Sequence, residues 1–210
     1  MGSKFSISEV CSTSWQRTKA QIWVLSGLII GMSIISFTLG VFAMPIQQSV
    51  VGAVVINLIS CVISCIFALG YMKNIFQALD GEEPQFSAYG QQSRKIITYL
   101  VANILMAIIV TLGLCLFIIP GIYLALRLQF YAALIVEDDA GIIESLQRSW
   151  EITRGQEMSL FMLMLAMIGI CILGLILLGI GIFVAMPLIY MMYAYVFRKL
   201  NAPLQILEEV

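Results

Sequence analysis

Three long apolar runs, Ile22–Met72, Ile96–Val136 and Met158–Phe197, dictate what this chain can fold into. Each is about 40–50 residues long, and a helix needs about 20 to cross a bilayer. Each run therefore reads as two spans joined by an uncharged turn. Lys4, Arg17, Lys19, Lys73, Arg94, Lys95, Arg148, Arg154, Arg198 and Lys199 all lie between or beside the runs, and Arg127 is the one ionised residue inside them. An even number of spans per run brings every connecting segment back to the same face. The expected fold is all-α: a polytopic integral membrane protein with six transmembrane helices in three hairpins, forming one transmembrane domain over 1–210.

Apolar residues make up 61% of the chain and charged residues 11%, against about 25% charged in soluble domains. A net charge of −1 gives no nucleic-acid footprint. Histidine, the commonest metal ligand and general base, does not occur. Cys61 and Cys65 share a helix face, but no Cys-x-x-Cys occurs, so the cysteines read as small packing residues. No cofactor, metal or catalytic residue is expected. The first apolar run is too long for a cleaved signal peptide and reads as a retained anchor.

The spans are expected near 22–43, 50–72, 97–118, 121–136, 158–179 and 183–198. Outer turns then fall at Ala43–Ser49, Ile118–Gly121 and Gly179–Pro187. Pro45, Pro120 and Pro187 suit turns or first helical positions there, where a missing N–H costs nothing. The basic residues crowd one face, which the positive-inside rule makes cytoplasmic. Both termini and the loops 73–95 and 137–157 are thus expected in the cytoplasm. The acidic stretch Glu137-Asp138-Asp139 reads as solvated loop, with divalent-cation binding as the alternative.

An internal repeat is visible. Ser14-Trp15, Thr18 and Gln21 align with Ser149-Trp150, Thr153 and Gln156 at a constant offset of 135. Pseudo-repeat units of about 5–79, 84–136 and 140–200 follow, each an amphipathic cytoplasmic helix and then a hairpin. All three begin on the same face, so the repeats are parallel rather than inverted. In the first amphipathic helix Ile7, Val10, Cys11, Ser14 and Trp15 share a face. In the last, Ile142, Leu146, Ser149 and Trp150 do, and Glu144 and Arg148 form an i,i+4 pair. Such helices belong at the headgroup level. The two serine–tryptophan pairs read either as simple anchors or as symmetric docking points for the hairpin bases. Gly27-x-x-x-Gly31, with Gly169 and Gly174, permits close helix approach.

Arg127 is the outlier. It follows Pro120 by seven residues, about 10 Å down a helix. An arginine at a span centre costs roughly 2.5–3.5 kcal/mol and needs a partner. No acid falls inside the expected spans, so the expected partners are freed carbonyls near Gly121 and Pro187, hydroxyls of Tyr123 or Tyr190, Asn57, Asn103 or a lipid phosphate. If the turn lies deeper, Arg127 reaches the charged interface near Glu137 or Glu144.

Phe117-Ile118-Ile119-Pro120-Gly121-Ile122-Tyr123-Leu124-x-x-Arg127, then Val136-Glu137-Asp138, then Glu144-Ser145-Leu146-x-Arg148-Ser149-Trp150-x-x-Thr153-Arg154-Gly155 resembles the signature of a bacterial superfamily of multi-span membrane proteins. That superfamily includes the YciC-like proteins and the membrane domain found beside glycerophosphodiester phosphodiesterases. The resemblance implies a bacterial inner-membrane protein without enzymatic activity, in which chemistry belongs to a soluble domain this chain lacks. Arg127, Pro120, Gly121, Tyr123, Ser149, Trp150, Thr153 and Gly155 carry the match, and Ser14 and Trp15 join them through the repeat; Thr153 and Gly155 also suit a helix terminus. The expected role is a scaffold or lipid-interacting module, with membrane lipids and either a second copy or another membrane protein as partners. The alternative is a transporter or channel for an anionic solute or lipid, with Arg127 lining the pathway.

Overall fold

The computed structural model describes residues 5–176 and 181–208, which are helical throughout their regular structure, with no strand among them. The helices are α1 (Ile7–Ala20), α2 (Ile22–Ala43), α3 (Val50–Asp80), α4 (Ser87–Gln92), α5 (Ile96–Leu116), α6 (Ile118–Leu128), α7 (Tyr131–Glu137), α8 (Ile142–Ile152), α9 (Glu157–Ile176) and α10 (Ile182–Glu208). Single 3₁₀ turns at Ile46–Gln48 and Ser93–Lys95 lead into α3 and α5. Six stretches are long and apolar enough to cross a membrane: Ile22–Ala43, Val50–Asp80, Ser87–Leu116, Ile118–Glu137, Glu157–Ile176 and Ile182–Ala202. They contain the six expected spans, apart from the far ends of the third and the fifth. The expected turn at Gly179–Pro187 begins outside the described residues, and Lys4 lies outside them altogether.

Local chemistry sets the helix ends. Ser49 caps α3 by accepting the Gly52 N–H at 3.0 Å, and α3 stops at Gly81, whose φ of 88° suits a residue without Cβ. Gly141 begins α8, its N–H donating to Glu144 Oε2 at 3.0 Å. Between α5 and α6 the chain reverses on Phe117 alone, an extended residue with φ −161° and ψ 154°. The two helices then touch through their backbones. A Cβ added to Gly113 would lie 3.0 Å from the Gly121 Cα, and one added to Gly121 would lie 2.8 Å from the Leu114 nitrogen. Gly174 packs in the same way against Ala185 and Gly181. Gly27, Gly31 and Gly169 do not; each faces open space.

The core is not spread evenly. In an 18-residue apolar window of each stretch, half of the residues are buried in Ile118–Glu137 and 39% in Ile182–Ala202, against 6% in each of the first two. The α6–α7 stretch and α10 are therefore central, and α10 packs against α1, α2, α3, α8 and α9. The buried side chains concentrate at the charged end, in Leu69–Ala78, Leu126–Val136 and Met191–Leu200. At the other end Val50, Val51, Leu58, Leu112, Leu116, Leu173 and Ile176 stand exposed. A soluble monomer does not display so much contiguous apolar surface; hydrocarbon tolerates it.

Pro187 departs from expectation. It is the sixth residue of α10, beyond the first turn, so the Phe183 carbonyl lacks its usual i+4 donor. Ser26 of α2 supplies one: its Oγ donates to Phe183 O at 2.8 Å. A polar residue of an otherwise apolar helix thus repairs a break in another, as apolar surroundings require.

Ser26→Ala should destabilise the protein by about 0.6–1.7 kcal/mol, the span measured for interhelical hydrogen bonds in membranes. In a Pro187→Ala background, where α10 closes its own bond, the same change should cost less. Unfolding of the four proteins in detergent measures the coupling.

Candidate functional site

The fourth span is interrupted. α6 ends at Leu128 and α7 starts at Tyr131, although the intervening Gln129-Phe130 contains neither proline nor glycine. Side chains from two other helices take up the freed backbone groups. Ser149 Oγ of α8 donates to Arg127 O at 2.9 Å and accepts the Phe130 N–H at 3.1 Å. Tyr193 of α10 donates to Gln129 O at 2.7 Å. Gln129 Nε2 turns back to Leu126 O at 3.0 Å. Thr153 Oγ1 lies 3.2 Å from Arg127 O and 2.7 Å from Ser149 O, its one proton serving either.

The Arg127 side chain is closed over at the same place, with 2% of its surface exposed. Nη1 is 2.9 Å from Glu157 Oε1, at the start of α9. The guanidinium centre lies 4.2 Å from the centre of the Trp150 ring and 5.9 Å from that of Tyr123. The two rings meet edge to face, 5.8 Å apart at 86°. Gly155, with φ 76°, turns its N–H onto the same Glu157 oxygen at 3.1 Å. The ion pair thus has a hydrogen bond on the acid side and a π face on the base side. Glu157 is 35% exposed, so it is the buried guanidinium that needs such support to offset desolvation.

This corrects the expected surroundings of Arg127. A carboxylate does reach it, and the acid is Glu157 rather than Glu137 or Glu144. Level with the start of α9, Arg127 belongs to the charged end of the molecule. Tyr123, Arg127, Ser149, Trp150, Thr153 and Gly155 converge on one site. Pro120 and Gly121 sit at the other end of α6, where Gly121 makes the close approach to α5.

Ser14 and Trp15 form no matching grip. Ser14 Oγ and Thr18 Oγ1 on α1 are buried without a partner, while Trp15 is partly exposed with Lys19 Nζ 5.6 Å above its ring. The reason is that α1 packs on α10, whose carbonyl freed at Phe183 is already taken by Ser26 of α2. Ser149 meets a broken helix; Ser14 does not.

The Glu137-Asp138-Asp139 turn is likewise not free in solvent. Glu137 Oε1 receives Arg198 Nη2 at 2.6 Å, and Arg198 also clasps Asp80 of α3. Asp138 Oδ2 receives Arg148 at 2.7 Å and Asn201 Nδ2 at 2.9 Å. Asp139, at φ 54°, meets Lys95 Nζ at 2.5 Å. Lys95 is itself buried, and donates to the last carbonyls of α7, Ile135 O at 2.9 Å and Val136 O at 3.0 Å. Three adjacent acids therefore tie α3, α5, α8 and α10 to the end of α7. No cluster of acids, cysteines and histidines among the described residues has the makings of a metal site. The expected Glu144–Arg148 pair is present at 3.8 Å. Hydrogen bonding to Lys95 holds the Asp139 carboxyl below its ordinary value of 3.8. Lys199, 2.5 Å from Glu9, does the same for that carboxyl.

Glu157 escaped the sequence reading, Lys95 entered it only as a charge of the cytoplasmic face, and Tyr193 only as a tyrosine of the interfacial belt. Glu157 carried one signal: an acid two residues after Gly155 and directly before an apolar run, the usual place for a negative charge at a helix start.

Residues 88–210, more than half of the chain, match a family described as a domain of unknown function (DUF7847). The matched stretch holds the whole Arg127 cluster and the acidic turn. Lys73, Asp80 and Glu9, which complete the ion pairs, precede it. No curated protein and no solved structure matches the chain.

Ser149→Ala should leave the Phe130 N–H without a partner and the Arg127 C=O with Thr153 alone, and destabilise by about 1–3 kcal/mol, read from thermal unfolding in detergent. Glu157→Ala strands a buried cation and should cost about 3–5 kcal/mol, with Arg127→Met in the same chain recovering part of it. Asp139 titrates lower in the folded protein than in the unfolded one. Its stabilisation is full above the ordinary carboxylate pKa and is lost as pH falls through the folded value. Asp139→Asn should therefore flatten the pH dependence of unfolding below about pH 4.

Proposed function

The chain belongs to the DUF7847 family, and we propose that it is a non-enzymatic protein of the bacterial inner membrane, a scaffold or lipid-interacting module with both termini in the cytoplasm. The observation that carries this reading is where the charges are used. Arg127 is closed by Glu157 and Trp150, and Glu137, Asp138 and Asp139 each hold a base from another helix. These are the polar groups chemistry would draw on, and here they knit helices together.

The finer architecture is part of the proposal. The six spans form three hairpins related as parallel repeats. In support, α1 and α8 each precede a pair of long apolar stretches, and α4 opens the first stretch of the middle pair. The helices α1 and α8 lie along the cytoplasmic headgroups. Val10 and Ser14 of α1, and Leu146, Ser149 and Ile152 of α8, are buried, while Glu9, Arg17, Glu144 and Glu151 are exposed, which supports amphipathic packing. Kinship with the YciC-like superfamily is proposed on the motifs quoted above.

The runner-up reading is passage of an anionic solute or lipid along Arg127. It requires the Glu157 pair to open and Trp150 to swing aside.

Labelling of single cysteines placed at Glu83, Arg154 and Gln48 tests the topology in intact cells and inverted vesicles. The first two should react from the cytoplasmic side and the third from the other; Glu83 and Arg154 on opposite sides would overturn it. For function, purified protein should retain phospholipid by mass spectrometry and give no anion flux in liposomes. A flux abolished by Arg127→Ala would replace this reading with transport.

A further inference from the structure

A polar hollow of about 460 Å³ opens at the charged end, where α3, the join between α4 and α5, and the end of α7 meet. Lys73, Gln92, Arg94, Lys95, Glu137 and Asp139 supply its polar wall. Two of these residues each carry an acceptor oxygen, Gln92 Oε1 and Glu137 Oε2, that is buried behind the wall and receives no hydrogen bond among the described residues, so a small shift of either side chain would present it to the hollow. Gln92 as a whole is 6% exposed. Lys73 Nζ comes only within 3.7 Å of Glu137 Oε2, beyond hydrogen-bond reach. Lys95 has three hydrogens and directs them to Ile135 O, Val136 O and Asp139, so none is left for the hollow.

Arg94 differs from its neighbour. It is exposed and forms no direct ion pair among the described residues, though its charge acts on Asp139. The hollow therefore combines a guanidinium open to an anion with buried acceptors that need an N–H or O–H donor. A buried acceptor without a donor is costly, and a free guanidinium suits the paired oxygens of a phosphate. Ile97 at the start of α5 is 74% exposed and opens an apolar run, so in the proposed orientation the entrance stands at the level of lipid phosphates.

Phosphoethanolamine carries a phosphate and an N–H donor two carbons apart, without the carboxylate that phosphoserine would set against Glu137 and Asp139. We infer that the hollow binds the headgroup of an ethanolamine phospholipid. The phosphate sits on Arg94 and Lys73, and the ammonium donates to Gln92 Oε1 and Glu137 Oε2. This rests on the lipid-interacting reading above and gives it a headgroup class.

Choline lipids provide the control, because they carry the same charges without an N–H. The full-length protein is purified in detergent and offered dioleoylphosphatidylethanolamine and dioleoylphosphatidylcholine in equal amounts, with retained lipid counted by native mass spectrometry. Ethanolamine lipid should be retained about tenfold over choline lipid, the worth of one charge-assisted hydrogen bond. Gln92→Leu should narrow that preference, and Arg94→Ala should weaken both lipids about tenfold. Arg94 is exposed, so its variant folds and keeps the test clean. Equal retention of the two lipids would mean that the hollow holds water alone and would overturn the inference, as would an Arg94→Ala protein that binds like the parent. Displacement of the lipid by an equal concentration of glycerophosphoethanolamine would move the site to a soluble ligand and overturn the lipid assignment. Retention of no lipid at all would instead bring down the broader lipid-interacting reading.

Discussion

The hydroxyl of Ser149 stands between two backbone groups that nothing else in their own helix can satisfy. Helices this apolar have no water along their length, so an interruption survives only where protein supplies the missing partners. Ser149 does so for Arg127 O and Phe130 N, and that requirement fixes α8 across the break. Much follows from it. Trp150, the next residue, comes to lie over the Arg127 guanidinium. The turn through Thr153 and Gly155 then delivers Glu157 to the same group. The redirected α7 carries Glu137, Asp138 and Asp139 to bases on four other elements. One hydroxyl thereby coordinates the packing of the charged end.

The molecule has two ends of different character. At the charged end the side chains interlock and the ion pairs cross between helices distant in sequence, such as Arg198 with Asp80 and Lys199 with Glu9. At the other, α2, α3, α5 and α9 expose their apolar side chains. Hydrophobic burial inside the protein is thus confined to one half. In the other half the helices are held by close backbone approach at Gly113–Gly121 and at Gly174, where small residues substitute for a hydrophobic driving force that lipid does not provide.

The spans were legible because hydropathy alone marks them; α2 runs from Ile22 to Ala43 as read from residues without any structural knowledge. The site was legible in part. Tyr123, Arg127, Ser149, Trp150, Thr153 and Gly155 stood out by motif and do meet. The break between Leu128 and Tyr131 was not legible, because it is imposed by Ser149 and Tyr193 from elsewhere in the chain rather than by a local helix breaker. Glu157 was overlooked for a related reason: counted by position it is a loop acid, yet the loop folds it back onto Arg127. The acidic turn looked solvated since its bases, Lys73, Lys95, Arg148 and Arg198, are scattered through the sequence. The repeat suggested equal roles for Ser14 and Ser149, but a serine's role depends on the backbone opposite it.

The reversal on Phe117 leaves no slack between α5 and α6. Each residue of an α-helix rotates the chain by about 100°. Adding a single residue at this point would therefore spin the face of α6 away from α8, carrying the arginine out from under its aromatic cover. Length at that corner is consequently as tightly constrained as any side chain, and evolution of this scaffold has room for insertions elsewhere, in the stretch from Gly81 to Phe86, before it has room there.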